Sequence, residues 1–245
     1  MIDCISVENM RRSDAFTIEN LVPSLELMFR AAYGVFESVE WCGKIAIVAG
    51  SGNNGGDGYA LACILKEKGF DCTVYTVGSR LSNDARHYAN IAYGLGIKIM
   101  PLTSDSDLLA FDFVVDCLLG TGFHGSVRDD YRNAIENINA SGAYIVSVDI
   151  NSGMNGDTGE AETAVYSDLT VTIGYIKNGL ITQRAEKYIK RLVCIDIGIE
   201  LAEKENFICS PDEWVDFCRI NSIDPEERSV NVDGRIYLRT PDWLV

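Results

Sequence analysis

The segment Gly50-Ser51-Gly52-Asn53-Asn54-Gly55-Gly56-Asp57-Gly58 stands directly between the apolar run Ile45–Ala49 and the helical pattern Tyr59–Leu65. A glycine-rich turn that carries a strand into a helix forms a phosphate-sized cradle: glycine admits positive φ and close backbone approach, and the helix N-terminus aims free N–H groups at an anion. Gly50, Gly52 and Gly55 satisfy G-x-G-x-x-G, a pattern that gains its weight here from the flanking strand and helix. A dinucleotide oxidoreductase would end its second strand in an acid, whereas Cys72–Val77 runs into Gly78-Ser79-Arg80. Asn53, Asn54 and Asp57 put polar side chains into a turn that backbone alone can make. The plain structural account is that Asn tolerates left-handed backbone and Asp57 caps the helix.

Around this segment the chain alternates. Ser6 to Thr17 reads as a helix, and Ser24 as the N-cap of a second one through Val35. Strands are expected at 44–49, 72–77, 97–101, 111–116 and 144–149, helices at 57–68, 82–94 and 130–140, and further strands at 168–174 and 192–197. Strands alternating with helices of this length predict an α/β fold with a mostly parallel sheet covered on both faces and a ligand site at the carboxyl ends of its strands. Beyond Gly198 the pattern breaks down, and residues 206–245 read as an extension of unknown role, an edge hairpin or a partly ordered tail.

With 245 residues, 47% of them hydrophobic and 23% charged, the chain can bury the core of one large domain. A net charge of −15 disfavours nucleic acid and anionic membranes as partners, so an anionic ligand has to be held by a local nest or helix N-terminus. The eight cysteines form no C-x-x-C pair and several sit in apolar runs, as expected of reduced core residues in a cytoplasmic protein. No basic-then-apolar leader opens the sequence and no run approaches the length of a membrane helix. Two histidines, His87 and His124, leave little material for a transition-metal site.

Two further segments end a strand in an acid: Phe113-Val114-Val115-Asp116, followed by Cys117-Leu118-Leu119-Gly120-Thr121-Gly122, and Ile145-Val146-Ser147-Val148-Asp149, followed by Ile150-Asn151-Ser152-Gly153. One such acid often caps a loop; two of them beside a glycine-rich turn point to a shared site. Asn54, Asp116 and Ser152 offer an amide oxygen, a carboxylate and a hydroxyl, hard ligands suited to an alkali or alkaline-earth cation. Asp149 is left for proton transfer or for holding a polar substrate group. Lys177, after another strand end, is a candidate cationic partner.

These segments, in this order, resemble the NAD(P)H-hydrate (NAD(P)HX) epimerase family, the YjeF N-terminal domain. The resemblance spans roughly Ser6 to Gly198, with Gly52-Asn53-Asn54-Gly55-Gly56-Asp57-Gly58 its most specific string and Val148 to Gly153 the next. It implies a Rossmann-like three-layer α/β/α sandwich over residues 1–205 that interconverts the epimers of hydrated NADH and NADPH at C6 in nicotinamide-nucleotide repair. It further implies that Asn53, Asn54, Gly55, Gly56 and Asp57 contact the nucleotide, that Gly120, Thr121, Gly122, Phe123, His124, Gly125 and Ser126 embrace its phosphates or ribose, and that Asp149 faces the nicotinamide ring. On the same analogy Asn54, Asp116 and Ser152 hold one potassium ion per subunit, Asp149 and Lys177 are the catalytic pair, and the protein is a homodimer. At this length the companion dehydratase is expected to be a separate protein. Family members often read Lys-Pro-Gly where this chain has Lys177-Asn178-Gly179.

Two other readings use the same residues. A binding scaffold of this fold would have no need of Asn54, Asp57, Asp116, Asp149 and Ser152 together. A conventional Rossmann oxidoreductase or methyltransferase would use the glycine-rich loop, but the missing acid after Val77 counts against the oxidoreductase.

Overall fold

The computed structural model describes residues 1–103 and 106–245. In chain order its elements are β1 (Ile2–Ile5), α1 (Val7–Asn20), α2 (Ser24–Glu37), β2 (Lys44–Ala49), α3 (Asn53–Glu67), β3 (Asp71–Thr76), α4 (Asn83–Gly94) and β4 (Lys98–Pro101). Then follow β5 (Phe113–Cys117), α5 (Asp129–Asn139), β6 (Tyr144–Val148), β7 (Leu169–Ile173), β8 (Ile176–Lys177), β9 (Leu192–Ile195), β10 (Asn206–Cys209), α6 (Pro211–Asn221), β11 (Ser229–Val232) and β12 (Arg235–Arg239). Short 3-10 turns occupy Leu108–Ala110 and Asn178–Ile181.

The strands that are apolar at almost every position become the middle of a sheet, because both of their faces need cover. Seven strands lie in the order β4-β3-β2-β5-β6-β7-β9, each pair parallel. Alternation along β2 divides it: Ile45 and Ile47 pack with α2, α3 and α4 through Leu27, Ala31, Leu61 and Ala92. Ala46 and Val48 face the other way, against Tyr131, Ala134, Ile135 and Ile138 of α5. The result is the Rossmann-like three-layer α/β/α sandwich expected from the sequence. Strand order runs outward in opposite directions from β2 and β5, so a crevice opens at the carboxyl ends of these two strands.

Most boundaries fall within two residues of expectation, and the exceptions are informative. α3 starts at Asn53 rather than residue 57, so the asparagines and paired glycines form its first turn. Glycine is a poor helix former, yet here it is required by close approach: a Cβ on Gly55 would overlap the Gly50 carbonyl, and one on Gly56 would run into Met28. Gly52 is the N-cap and offers no side chain, which places Asp57 inside the helix and overturns its reading as a cap. Ser24 is likewise the first residue of α2 behind Pro23, not a hydrogen-bonding cap. Ser6 caps α1 by accepting from Asn9 N at 3.1 Å.

A second sheet has the order β11-β12-β10-β1-β8. The N-terminal strand β1, not expected from the sequence, is an inner strand between β10 and β8, antiparallel to the first and parallel to the second. β11 and β12 form a hairpin whose turn residues Asp233 and Gly234 have φ of 52° and 82°, the signature of a type I′ turn. Trp214 and Cys218 of α6 are buried beneath it with Cys209. All eight cysteines are free, and Cys42 is the exposed one. Among the described residues no helix is long and apolar enough to cross a membrane.

Candidate functional site

The crevice contains a cavity of about 590 Å³ walled by α1, the start of α2, the start of α3, the loop after β5, Asp149 and Lys177. Each wall follows from a chain feature. β2 delivers Ser51 and Gly52, α3 begins on the rim with Asn53, Asn54 and Asp57, and β5 delivers Leu118 to Phe123.

Asp149 follows β6 with φ of 69°, left-handed backbone that a non-glycine residue rarely adopts. Hydrogen bonds from Asp149 N to Val171 O (2.8 Å) and from Ile150 N to Val148 O (3.0 Å) hold the turn. Strain of this kind persists where surrounding structure over-determines it, commonly at functional sites. The carboxylate is clamped as well. Lys177 Nζ donates to Oδ1 at 2.5 Å, and Thr121 N donates to Oδ2 at 3.2 Å. The remaining two Nζ protons go to Thr172 Oγ1 (3.1 Å) and Ile173 O (2.7 Å), so the wholly buried ammonium is fully used. Gly120 is what lets Asp149 come so near: a Cβ there would stand 2.8 Å from Oδ2 and 3.3 Å from Asn54 Cβ.

Asp116 meets a different fate. It is wholly buried and accepts four hydrogen bonds, from Leu118 N (3.2 Å) and Ser152 Oγ (2.5 Å) on Oδ1 and from Ser147 Oγ (2.9 Å) and Ser152 N (2.9 Å) on Oδ2. All of these donors are neutral. Burial pushes its carboxyl above the usual range, and the bonds to Ser152, Leu118 and Ser147 pull it back. Ser152 Oγ also accepts from Leu119 N at 2.9 Å, which ties the loop after β5 to the loop after β6. Asn54 is the reverse case: its side-chain oxygen and nitrogen are both buried and neither has a partner. An orphaned amide beside the cavity is a costly feature that a ligand relieves.

These features test the expected cation. Asn54 offers an oxygen without a partner, Ser152 a hydroxyl, and Asp116 a buried carboxyl. Oxygen donors of this kind suit a hard alkali or alkaline-earth cation. Among the described residues no cluster of three or more His, Cys, Asp or Glu side chains is arranged to hold a metal.

The other predicted residues divide. Gly55 and Gly56 are backbone spacers in α3, while Asn53, Asp57, Gly120, Thr121, Gly122 and Phe123 line the cavity. Gly125 and Ser126 line a second, more open hollow of about 990 Å³ shared with Phe123, and His124 is exposed. Burial drives the Asp57 carboxyl well above the ordinary range, reinforced by Asp149 and then Asp14.

Several wall residues carried no sequence signal of their own. Asp14 on α1 reaches the cavity, and burial raises its pKa to about 6 despite nearby Lys177. Arg11 donates to Thr121 O at 2.5 Å and contacts His124 Nε2 at 2.5 Å, latching α1 onto the loop after β5. Tyr131 of α5 meets Ser51 Oγ at 3.0 Å.

Comparison with known proteins gives the same outline. Residues 24–179 match the family described as YjeF-related protein N-terminus. The chain is 37% identical over 199 residues to the NAD(P)H-hydrate epimerase of Limosilactobacillus fermentum, covering 78% of this chain and 95% of that protein. It is 35% identical over 207 residues to the NAD(P)H-hydrate epimerase of Rhodopirellula baltica, covering 80% and 85%. The bifunctional NAD(P)H-hydrate repair enzyme Nnr of Coxiella burnetii is 36% identical over 197 residues, 78% of this chain and 40% of that one. The crystal structure of yeast ynu0 superposes with a TM-score of 0.68 at 17% identity, over 97% of this chain and 100% of that chain, a likeness of fold.

Proposed function

The chain belongs to the YjeF-related N-terminal family, and on that premise we propose that it is an NAD(P)H-hydrate epimerase, an isomerase that interconverts the R and S epimers of hydrated NADH and NADPH. The observation that carries this reading is the strained, lysine-clamped Asp149 facing the same cavity as the raised carboxyl of Asp57 and the unpartnered amide of Asn54.

Epimerisation at C6 requires the carbon–oxygen bond, or the ring, to open and reclose on the other face. Either route needs a proton given to one atom and taken from another, with no net change. Asp57, whose carboxyl is raised above its ordinary range, would give a proton, and Asp149, ion-paired to Lys177, would take one. Lys177 acts on Asp149 and thereby on the substrate. The α3 N-terminus and the backbone of Gly120 to Phe123 would take the nucleotide's phosphates or ribose, with His124, Gly125 and Ser126 following in the same loop. Asn54, Asp116 and Ser152 would hold a potassium ion, whose charge would balance Asp116 and help order the loops after β5 and β6.

A separate dehydratase would consume one epimer in the same repair route. The exposed Phe16, Leu21, Phe29 and Tyr33 on and beside α1 and α2 support a homodimer, and the free cysteines support a reducing, cytoplasmic setting. Light scattering tests the first of these.

The deciding experiment follows purified R-NADHX by chiral chromatography with and without potassium, against uncatalysed epimerisation. Rapid approach to the epimer mixture is the expected result; a rate equal to the control in folded protein sinks the reading. A potassium-dependent rise in melting temperature, absent in Asn54→Ala, checks the cation site without reference to turnover.

A further inference from the structure

Lys177 is fixed at its tip by Asp149, Thr172 and Ile173, and at its root by what borders a very short strand, including the bond from Gly179 N to Gly156 O at 2.7 Å. β8 has two residues, lies at the edge of the second sheet and pairs there with β1 through Cys4↔Ile176 and Ile5↔Lys177. So short a strand contributes little ordering of its own. The next residue, Asn178, opens a 3-10 turn and is gripped from β1 and from β10 beyond it: its Oδ1 accepts from Cys4 Sγ at 3.2 Å and from Asn206 Nδ2 at 3.0 Å. Asn206 is the first residue of β10 and stands opposite Cys4 in the sheet. Its own orientation is dictated by the hairpin, since Ile236 N donates to Asn206 Oδ1 at 3.0 Å. A backbone N–H can only donate, so the Asn206 oxygen must face Ile236 and its NH2 must face Asn178.

The same terminal segment holds α1. Glu200 N donates to Thr17 Oγ1, Ala202 N to Ser13 Oγ, and Glu203 O accepts from Asn9 Nδ2, so a buried polar stripe at every fourth residue of α1 is consumed. Glu205 then accepts from Ser6 N at 2.5 Å and Ser6 Oγ at 2.8 Å at the helix start. The segment leading into β10 therefore sets the helix that brings Arg11 and Asp14 to the cavity, and β10 itself reaches the residue beside Lys177.

We propose that β10 is a working part of the active site, and that Asn206, through the Asn178 side chain, is a positioning residue for Lys177 and hence for Asp149. This rests on the epimerase reading for its catalytic consequence, while its structural consequence stands apart from it.

Asn206→Asp isolates the contact. It keeps the acceptor for Ile236 and turns the donor facing Asn178 into a second acceptor. The expected result is a drop in kcat of about tenfold to a hundredfold, the scale set by misplacing a catalytic group, with faster amide exchange at Lys177 and Gly179. Adding Asn178→Pro should restore both. Lys177 has φ of −83° and ψ of 141°, the extended backbone that a following proline favours, and residue 178 is the first of its turn, where a fixed φ is tolerated. The ring then supplies rigidity without the tail. Wild-type kcat and exchange in Asn206→Asp, or a double variant as impaired as the single one, would overturn the proposal. If the unaltered protein fails to epimerise NADHX, the functional reading falls and the exchange measurements alone decide the positioning role.

Discussion

Asp116 and Asp149 end neighbouring strands and are written alike in the sequence, as an apolar run, an acid and a turn of small or polar residues; the fold gives them opposite surroundings. Asp116 is enclosed by four neutral donors and sees no solvent. Asp149 is pushed onto left-handed backbone at the cavity wall and balanced by a buried lysine. The first ties two loops together, whereas the second presents a carboxylate to a ligand. A strand-end acid thus marks the site without telling which task it performs, because the task depends on what arrives from elements far away in the chain.

The largest effect expected from breaking this contrast is in Asp149→Asn. Asparagine tolerates the backbone, so the lesion is chemical: turnover on NADHX should fall by about 10²–10⁴. Lys177 would be left charged in a dry site, costing about 3–5 kcal/mol in a denaturant melt. A variant with wild-type turnover would remove Asp149 from the chemistry. Asp116→Asn comes second. It forces an NH2 group against groups that already donate, which should cost about 1–3 kcal/mol and abolish any potassium-dependent rise in melting temperature, with a smaller loss of turnover than in Asp149→Asn.

The third prediction concerns the acids gathered around Asp149. Asp14 has its pKa raised from 3.8 to about 6, by burial first, so the native state holds a proton that the unfolded chain releases. Its contribution to stability is fully present below pH 4 and is lost as pH rises through 6. Asp14→Asn should therefore melt higher than the unaltered protein at pH 8 and show no such gain at pH 4. A gain of equal size at both pH values would mean that charge is not the cause. The smallest effect belongs to the outer end of the loop after β5. His124→Ala should shift stability by no more than about 0.5 kcal/mol, as exposed side chains do; a greater loss would show that its contact with Arg11 is what latches α1 down.

Much of this architecture could be read directly from the chain. The parallel sheet follows from Ile45–Ala49, Phe113–Val115 and Ile145–Val148, whose runs of apolar residues leave no face fit for water. The position of the crevice followed from the glycine-rich segment and from two acids at strand ends. What escaped was the part assembled from distant pieces. Ile2–Ile5 is too short to announce a strand, and it becomes one because β10 and β8 flank it. The Asp233-Gly234 pair did carry a hairpin signal, but nothing local told where that hairpin would dock. The start of α3 was misjudged because Gly55 and Gly56 oppose a helix by propensity, while contact with Gly50 and Met28 demands residues without side chains.

The sequence by itself determined the sheet, its two covered faces and the family to which the chain belongs, because strand and helix periodicities and a rare glycine-asparagine string are local properties. Tertiary structure alone decided that Lys177 would neutralise Asp149 rather than lie on the surface, that Asn54 would be left without a partner, and that the last forty residues would reach the site. Those outcomes depend on which groups exclude water from one another across the fold, and burial is a property of the whole assembly that no short stretch of chain encodes.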